Sequence, residues 1–257
     1  MIGTLGRNHV IHAGIILTAT GVSRCIEVEA YATLTLLPRI VSIGAAVAVE
    51  VPVVAQACGL GAVGAVEDVE VRVWGRGLYY SSPVLGEMLG RLVSDAYAKE
   101  GSVTVSSLSG RVWGVEAVIA SLEGSTAVIE DSTMPLYDLS GLWAVVIRLG
   151  RPLNEERLVE TVYSNIGLLE AVAYDNIDNP IALVDTLGEK VATLSGIKRL
   201  QRIRGALMKL DAVAVGVDLY GKHVIAIVED AETAYILSAE SRELGDRVEA
   251  PIAIPGA

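Results

Sequence analysis

The chain has 257 residues, of which 52% are hydrophobic and 20% are charged, and its formal net charge is −11 at pH 7. This composition excludes an intrinsically disordered chain and predicts one large domain or two small domains with a sizeable core. The negative charge argues against nucleic acid and anionic membranes as partners. Cys25 and Cys58 lack the spacing of a metal site, which predicts thiols in a reduced, cytoplasmic compartment.

Two strands are predicted near the start of the chain. Residues 11–20 are apolar and rich in β-formers, and residues 26–37 alternate, with every even-numbered side chain up to residue 36 apolar. Such alternation is typical of a strand with one buried face. The two runs predict a β-hairpin whose turn lies near residues 21–24.

The next segment is apolar enough for a transmembrane helix to be considered. Residues 41–66 are nearly all apolar, apart from Glu50 and Gln56. Pro52, several glycines and the lack of a flanking basic cluster argue against a transmembrane helix. We expect a short strand before Pro52 and a buried helix from there to Leu60. The first residues of the sequence also lack the apolar run of a signal peptide.

A strand, a tight turn and a helix follow. Residues 66–74 alternate in part and predict a strand with one wet face. After a glycine-containing turn, Ser82 and Pro83 are residue types favoured at the N-cap and the first position of a helix. Apolar residues then recur with helical spacing as far as Ala98.

The remaining elements mix helices and strands without strict alternation. The predicted helices are 115–122, 157–174, 180–194, 196–209 and 231–244. The predicted strands are 126–130, 143–149, 212–217, 223–228 and 248–254. This order favours an α+β two-layer fold. We place a boundary at the turn that follows residue 150, which gives an N-terminal α+β half (1–150) and a C-terminal α+β half (151–257).

The turn before the helix at Pro83 has the composition of an anion site. At a helix N-terminus, unpaired N–H groups and the helix dipole point in the same direction. Gly75, Gly77, Ser81 and Ser82 would therefore suit a phosphate cradle. They equally suit a turn before a well-capped core helix, and the stretch alone does not decide between the two.

Three segments resemble the GHMP small-molecule kinase superfamily. Residues 14–21 followed by 26–32 resemble the N-terminal hairpin of its archaeal shikimate kinases. Residues 69–82, with the helix after them, resemble the superfamily's strand, phosphate loop and helix. Residues 221–230, Gly-Lys-His-Val-Ile-Ala-Ile-Val-Glu-Asp, resemble its late strand, and their Gly-Lys opening is closer to the archaeal pantoate kinases.

The resemblance implies a fold and an activity. The fold is an α+β two-layer GHMP kinase-like one, with a ribosomal-protein-S5-like sheet in the N-terminal half and a ferredoxin-like C-terminal half. The activity is ATP-dependent phosphorylation of a hydroxyl of a small hydroxy acid, shikimate-like first and pantoate-like second. Gly75, Gly77, Ser81 and Ser82 would hold ATP, and Ser82 would also contact Mg²⁺.

The resemblance also implies an acid and a substrate site. It places the catalytic acid in residues 113–124, at Glu116 or Ala117. Glu116 would orient the acceptor hydroxyl or hold Mg²⁺, and the alternative for it is a solvated helix carboxylate. Gly221 and Lys222 would bind the substrate, with Lys222 offsetting negative charge. The alternative for Lys222 is an ordinary turn lysine.

The sequence departs from the family's phosphate loop. The family has a proline, three residues and then Gly-Leu-Gly-Ser-Ser-Ala, whereas here the proline is missing and Tyr79 and Tyr80 replace small residues. Two tyrosines would crowd a backbone that must approach phosphates, and Pro83 removes one N–H donor. These departures support a second hypothesis, an inactive homologue that acts as a binding or assembly subunit. A third hypothesis is an α+β protein unrelated to kinases.

Two further predictions concern partners and metals. The chain is expected to form a homodimer, in addition to binding its small molecule. His9 and His12 are spaced to share a face, but without an evident third ligand they do not predict a metal site.

Overall fold

The computed structural model describes residues 12–18, 21–59, 69–98, 114–130 and 132–255, with side chains from residue 25 onward. The strands are β1 (His12–Thr18), β2 (Gly21–Leu37), β3 (Ile43–Gly59), β4 (Val69–Trp74), β5 (Thr126–Ile129), β6 (Ser132–Pro135), β7 (Trp143–Leu149), β8 (Ala214–Val217), β9 (His223–Val228) and β10 (Gly245–Ala253). The helices are α1 (Arg76–Tyr79), α2 (Val84–Ala98), α3 (Val115–Glu123), α4 (Glu155–Ser164), α5 (Ile166–Asn176), α6 (Pro180–Ser195), α7 (Lys198–Met208) and α8 (Ala231–Glu240).

The described strands form one antiparallel sheet. Its main path runs β1-β2-β3-β10-β7-β9-β8, while β4 and β5 also pair with β3, and β6 pairs with β5. Strand β10 pairs with β7 along its length and with β3 at its end, where Ile252 lies opposite Val49. The sheet is therefore continuous between strands on either side of residue 150, and the division of the chain there stays a prediction.

Strand β3 is the long centre of the N-terminal part of the sheet. From Val51 onward its odd-numbered residues are buried, whereas Pro52, Val54 and Gln56 are more exposed. Pro52 lies opposite Tyr31 where the register with β2 shifts, a place that tolerates its missing N–H. The helix predicted after Pro52 is therefore wrong, because a period of two governs this apolar run.

The first hairpin also differs in detail from the prediction. Thr18 pairs with Gly21, so that residues 21–24 belong to β2 and do not form the turn. The predicted helix 157–174 is divided at Asn165 into α4 and α5, and α1 and β6 were not predicted. The other predicted elements agree with the structure to within a few residues wherever the chain is described. Residues 102–107, another β-like run in the sequence, lie outside the described residues.

Two hydrophobic cores meet at the start of α2. One core packs α2 and α3 against β2 and β3, and Leu85 belongs to it. The larger core packs helices of the C-terminal half against the sheet and includes Tyr80, only five residues earlier. The turn between α1 and α2 thus lies between the two cores. This mixed, layered architecture confirms the predicted α+β fold class.

The two cysteines are joined. Cys25 on β2 lies directly opposite Cys58 on β3, and the two form a disulfide with Cα atoms 4.2 Å apart. The prediction that they are free thiols is wrong, because strand pairing brings together residues 33 positions apart. Within the described parts of the chain, no helix has the length and apolar character of a transmembrane span.

Candidate active site

The turn predicted to cradle phosphate directs its backbone N–H groups inward. Leu78 N–H donates to Gly75 O at 3.2 Å, Tyr80 N–H to Gly77 O at 3.1 Å, and Ser81 N–H to Leu78 O at 3.3 Å. Ser82 N–H donates to Thr33 O on β2 at 2.8 Å. A phosphate-binding loop keeps such groups for the ligand. In the described conformation these four are already used.

The serine hydroxyls are used as well. Ser81 Oγ donates to Gly77 O at 2.7 Å and accepts the Thr33 N–H at 3.1 Å. Ser82 Oγ accepts the Thr35 N–H at 2.9 Å and donates to Asp218 Oδ1 at 2.8 Å. Both serines are at least 98% buried. Each hydroxyl has given its one proton to a protein acceptor, so neither can donate to a phosphate without breaking a bond.

The two glycines of the turn approach β3 closely. A Cβ at Gly75 would lie 2.6 Å from Pro52 O, and one at Gly77 would lie 2.5 Å from Val51 O. Gly75 also has φ +124°, a backbone conformation that favours glycine. Packing against the irregular part of β3 therefore explains both glycines. Their predicted role in binding ATP stays a prediction.

The two tyrosines point away from the helix start towards the C-terminal strands. Tyr79 OH donates to Asp246 on β10, and the guanidinium of Arg148 lies 3.8 Å from the Tyr79 ring centroid. Tyr80 OH donates to Arg247 O at 3.0 Å. The predicted crowding of the loop is thus relieved, because Tyr79 contacts Arg148 on β7 and Asp246 on β10, and Tyr80 contacts Arg247 on β10. They fasten the turn to the other half of the molecule.

A buried acid and histidine lie beneath the turn. Asp218 and His223 flank the β8–β9 turn, and Asp218 Oδ2 lies 3.5 Å from His223 Nδ1. His223 Nε2 lies 3.0 Å from Tyr79 O. Since a carbonyl oxygen only accepts, Nε2 is the donor in this contact.

Glu116 is the most unusual titratable group of the site. It lies in the first turn of α3 and is fully buried, so the alternative of a solvated carboxylate is wrong. Its Oε2 is 3.5 Å from the Arg39 N–H, whereas Oε1 has no hydrogen-bond partner among the described residues. Burial raises its pKa to about 7, against the opposing effects of nearby N–H groups, the Thr35 hydroxyl and the Arg39 charge.

Thr35 and Tyr220 connect Glu116 to the turn. Thr35 gives its N–H to Ser82, and its side chain lies beside the Glu116 carboxylate. Burial, followed by the charges of Asp218 and Glu116, raises the pKa of the Tyr220 hydroxyl. The three segments that the resemblance singled out, the turn, the acid-bearing helix and the β8–β9 turn, therefore converge on one place.

A small pocket opens at this place. Its cavity volume is about 10 Å³, roughly the room that one water molecule needs. Its walls come from β2 and the residues after it, from α4, and from the β8–β9 turn: Thr35, Pro38, Val159, Val162, Leu219 and Tyr220.

The predicted substrate residues lie at the side of this arrangement. Gly221 has φ +66°, and a Cβ there would lie 3.0 Å from both Leu153 and Leu158, so packing against α4 and the segment before it explains this glycine. Lys222 is half-buried, and its carbonyl accepts the Leu149 N–H at 2.8 Å. No hydrogen bond or ion pair joins its side chain to the described Ser82 or Glu116. Binding of substrate by Gly221 and Lys222 stays a prediction.

Sequence analysis missed Thr35, Asp218 and Tyr220. Thr35 is one of several threonines on an alternating strand, and Asp218 and Tyr220 lie in a segment valued only for its glycine and lysine. Asp218, at the end of a β-run and before a glycine turn, offered a weak signal. Among the described residues, no three His, Cys, Asp or Glu side chains are grouped to hold a metal.

Comparisons with known proteins bear on this site. No family model and no curated sequence matches the chain. A solved phosphotransferase related to the CoA biosynthesis pathway superposes with a TM-score of 0.66 at 17% identity, covering 89% of this chain and 96% of that one. Mevalonate kinase of Methanococcus jannaschii gives 0.59 at 10% identity, covering 89% and 98%. A 4-(cytidine 5'-diphospho)-2C-methyl-D-erythritol kinase gives 0.56 at 13%, covering 90% and 100%.

The chain has the GHMP kinase fold. The neighbours that show this fold are small-molecule kinases. At these identities the likeness extends to the fold alone.

Proposed function

We propose that the chain phosphorylates a hydroxyl of a small hydroxy acid with ATP as donor and Glu116 as the acceptor-side base. The observation that carries this proposal is the buried Glu116 carboxyl, whose Oε1 has no partner among the described residues and whose pKa is raised to about 7. A carboxyl with such a pKa suits proton abstraction near neutral pH. Arg39, whose charge acts on Glu116, would attract the carboxylate of the acid.

The turn as described does not fit the phosphates of ATP. Four of its N–H groups and both serine hydroxyls are bonded within the protein, so nucleotide would have to break these bonds first. On the acceptor side, Glu116 would accept a proton at Oε1, and Thr35 would orient the hydroxyl that loses it.

A second candidate function is favoured by the same turn. Because Ser82 joins Asp218 and Tyr79 joins Asp246, the former phosphate loop holds the two halves of the molecule together. A protein that has lost catalysis could keep this junction and still bind a hydroxy acid beside Glu116. This candidate corresponds to the inactive binding subunit.

Calorimetry and turnover separate the two candidates. The chain would be titrated with ATP at millimolar concentration in the presence of Mg²⁺, and ADP release would be followed with hydroxy acids. We expect the wild-type chain to bind nucleotide and to release ADP. Glu116→Gln should abolish the ADP release, and Glu160→Gln, at an exposed position, should leave it intact. If the wild-type chain shows no heat with ATP and no ADP, the kinase proposal is wrong and the binding protein remains.

The proposal also covers the identity of the acceptor acid, the cellular compartment and the oligomeric state. A neighbour with this fold is named a phosphotransferase related to the CoA biosynthesis pathway, and this supports the pantoate-like acid over the shikimate-like one. An archaeal, cytoplasmic origin would fit the Cys25–Cys58 disulfide, because intracellular disulfides are common in hyperthermophilic archaea. Homodimer formation is retained as a proposal, and gel filtration with light scattering would test it.

A further inference from the structure

We propose that Glu170, on α5, is a positioning residue that holds the β2–β3 loop (residues 38–42) so that Arg39 keeps its N–H and its positive charge against Glu116. This inference rests on the proposed function, which names Glu116 as the base. The effect of Glu170 on Glu116 is measured without nucleotide or acceptor, so that either claim can fail while the other stands.

The first argument is the buried carboxylate of Glu170, a residue that is only 8% exposed. Its Oε1 accepts the Ser42 N–H at 2.8 Å and the Ile43 N–H at 3.4 Å. Taking a carboxylate out of water is costly unless hydrogen bonds compensate, and bonds to a charged acceptor are strong ones. The end of the loop and the first residue of β3 are therefore anchored to α5.

The second argument is how closely the loop folds back on β3. A Cβ on Gly44 would lie 2.8 Å from both the Cβ and the N of Arg39, closer than real Cβ atoms approach. The backbone of Arg39 thus rests directly on β3, one residue beyond the anchored pair. On the other side, Ser42 O accepts the Glu130 N–H at 2.8 Å. A shift of Ser42 and Ile43 would therefore carry Arg39 with it, because close-packed groups transmit displacements.

The third argument is what Arg39 does at Glu116. The Arg39 N–H lies 3.5 Å from Glu116 Oε2. Burial raises the pKa of Glu116 to about 7, and this N–H and the Arg39 charge both oppose the rise. The Thr35 side chain and the Tyr220 hydroxyl also interact with Glu116, but neither belongs to the loop.

Withdrawal of the loop would act on Glu116 in one direction. Residues 115–121 of α3 are all buried, so a small movement of the loop would leave the carboxyl dry. The carboxyl would lose the two contacts with Arg39 that favour its charged form, and its pKa would rise further. A base that stays protonated at neutral pH no longer abstracts a proton, so the anchor on α5 keeps Glu116 usable.

Two conservative variants separate the place of the Glu170 carboxylate from its charge. Glu170→Asp keeps the charge but is one methylene shorter, which withdraws the accepting oxygen from Ser42 and Ile43. Glu170→Gln removes the charge but keeps an oxygen that can accept both N–H groups. Loss of a negative charge by itself can only lower the pKa of Glu116, since like charges disfavour ionisation. The two variants are therefore expected to differ in the sign of their effect.

The pKa of Glu116 is measured by NMR on the full chain with ¹³C-labelled glutamate carboxyls, and Glu116→Gln identifies its signal. We expect Glu170→Asp to raise this pKa by about one pH unit, as loss of a nearby opposite charge does. Glu170→Gln should leave it unchanged or lower it. Gly44→Ala, which displaces Arg39 from the other side, should raise it as Glu170→Asp does. The control Glu160→Asp, at an exposed position on α4, should have no effect.

The contrary results are distinct. An unchanged pKa of Glu116 in Glu170→Asp or in Gly44→Ala overturns the inference, and so does an equal rise in Glu170→Gln. A fall of the pKa in Glu170→Asp overturns it as well, because the loop would then serve to exclude water. The expected shifts in a chain that releases no ADP with ATP leave the inference standing and contradict only the proposed kinase activity. ADP release without these shifts contradicts only the inference.

Discussion

The hydroxyl of Ser82 donates to Asp218 Oδ1 at 2.8 Å, although 136 positions separate the two residues. The same hydroxyl accepts the N–H of Thr35. The start of α2, strand β2 and the β8–β9 turn are therefore held at a single buried oxygen. In a loop that bound phosphate, this hydroxyl would be directed at the ligand. Here it joins three parts of the protein.

Replacing Ser82 tests whether this junction matters for stability. Ser82→Ala removes the acceptor of the Thr35 N–H and the donor to Asp218, leaving both buried groups without that partner. We expect a loss of about 1–3 kcal/mol in the free energy of unfolding, measured by urea denaturation. Ser140→Ala, at an exposed position, is the matched control and should be nearly neutral. Equal stability of the two variants would contradict the structural role of Ser82.

Tyr79→Phe tests the attachment of the turn to β10. The change removes the hydroxyl that donates to Asp246 but keeps the ring beneath Arg148. We expect faster hydrogen exchange of the amides of residues 80–82 with little change in global stability, because the lost bond lies at the surface. Tyr137→Phe, also exposed, should leave this exchange unchanged. Exchange at wild-type rates in Tyr79→Phe would mean that the other contacts hold the turn by themselves.

The raised pKa of Glu116 predicts how stability depends on pH. Between about pH 4.5 and pH 7 the unfolded chain has released this proton while the folded chain keeps it, so stability falls as pH rises through this window. The cost, roughly 3 kcal/mol at 1.36 kcal/mol per pH unit, is fully present above the folded pKa.

The variant Glu116→Gln isolates this effect. Because glutamine does not ionise, the variant should gain roughly 3 kcal/mol relative to wild type between about pH 4.5 and pH 8, measured by denaturation at both values. Glu160→Gln, exposed on α4, provides the control. A difference between Glu116→Gln and wild type that does not change with pH would show that the folded pKa of Glu116 is ordinary.

Reducing the disulfide should lower stability. The Cys25–Cys58 bond closes a loop of 33 positions, and its loss should cost roughly 2–4 kcal/mol because the unfolded chain becomes less restricted. Thermal unfolding with and without a reductant measures the effect. In the double variant Cys25→Ser, Cys58→Ser, the reductant should have no effect. An unchanged melting temperature for the wild-type chain would mean that the bond is not formed in solution.

Local sequence patterns predicted most of the strands and helices, but not the irregular strand β3 at the centre of the sheet. Strict alternation located β2, and helical spacing after Pro83 located α2. The residues after Pro52 were misassigned because proline and glycine usually interrupt strands, and only pairing with β2 and β4 shows that β3 tolerates them. The pairing of Cys25 with Cys58 was missed for the same reason, since register is a property of two strands.

The candidate site was predicted only where the resemblance supplied spacing. The resemblance placed the acid at Glu116 or Ala117 within residues 113–124, and the structure adds that Glu116 is fully buried. Thr35 and Asp218 could not be found in this way, because each matters through a contact with Ser82, far away in the chain. The contact of the Tyr79 side chain with β10 could not be predicted either, since its partner Asp246 lies 167 positions later.

Strand β10 has a consequence for the order of events during synthesis. It is the last described strand to leave the ribosome, yet it lies between β3 and β7 in the sheet. Until it arrives, β3 has an open edge beside Val49, and β7 lacks a neighbour on one side. Such edges invite wrong pairing with other chains. These edges of a nascent chain therefore stay exposed to aggregation until β10 has been synthesised and has paired with β3 and β7.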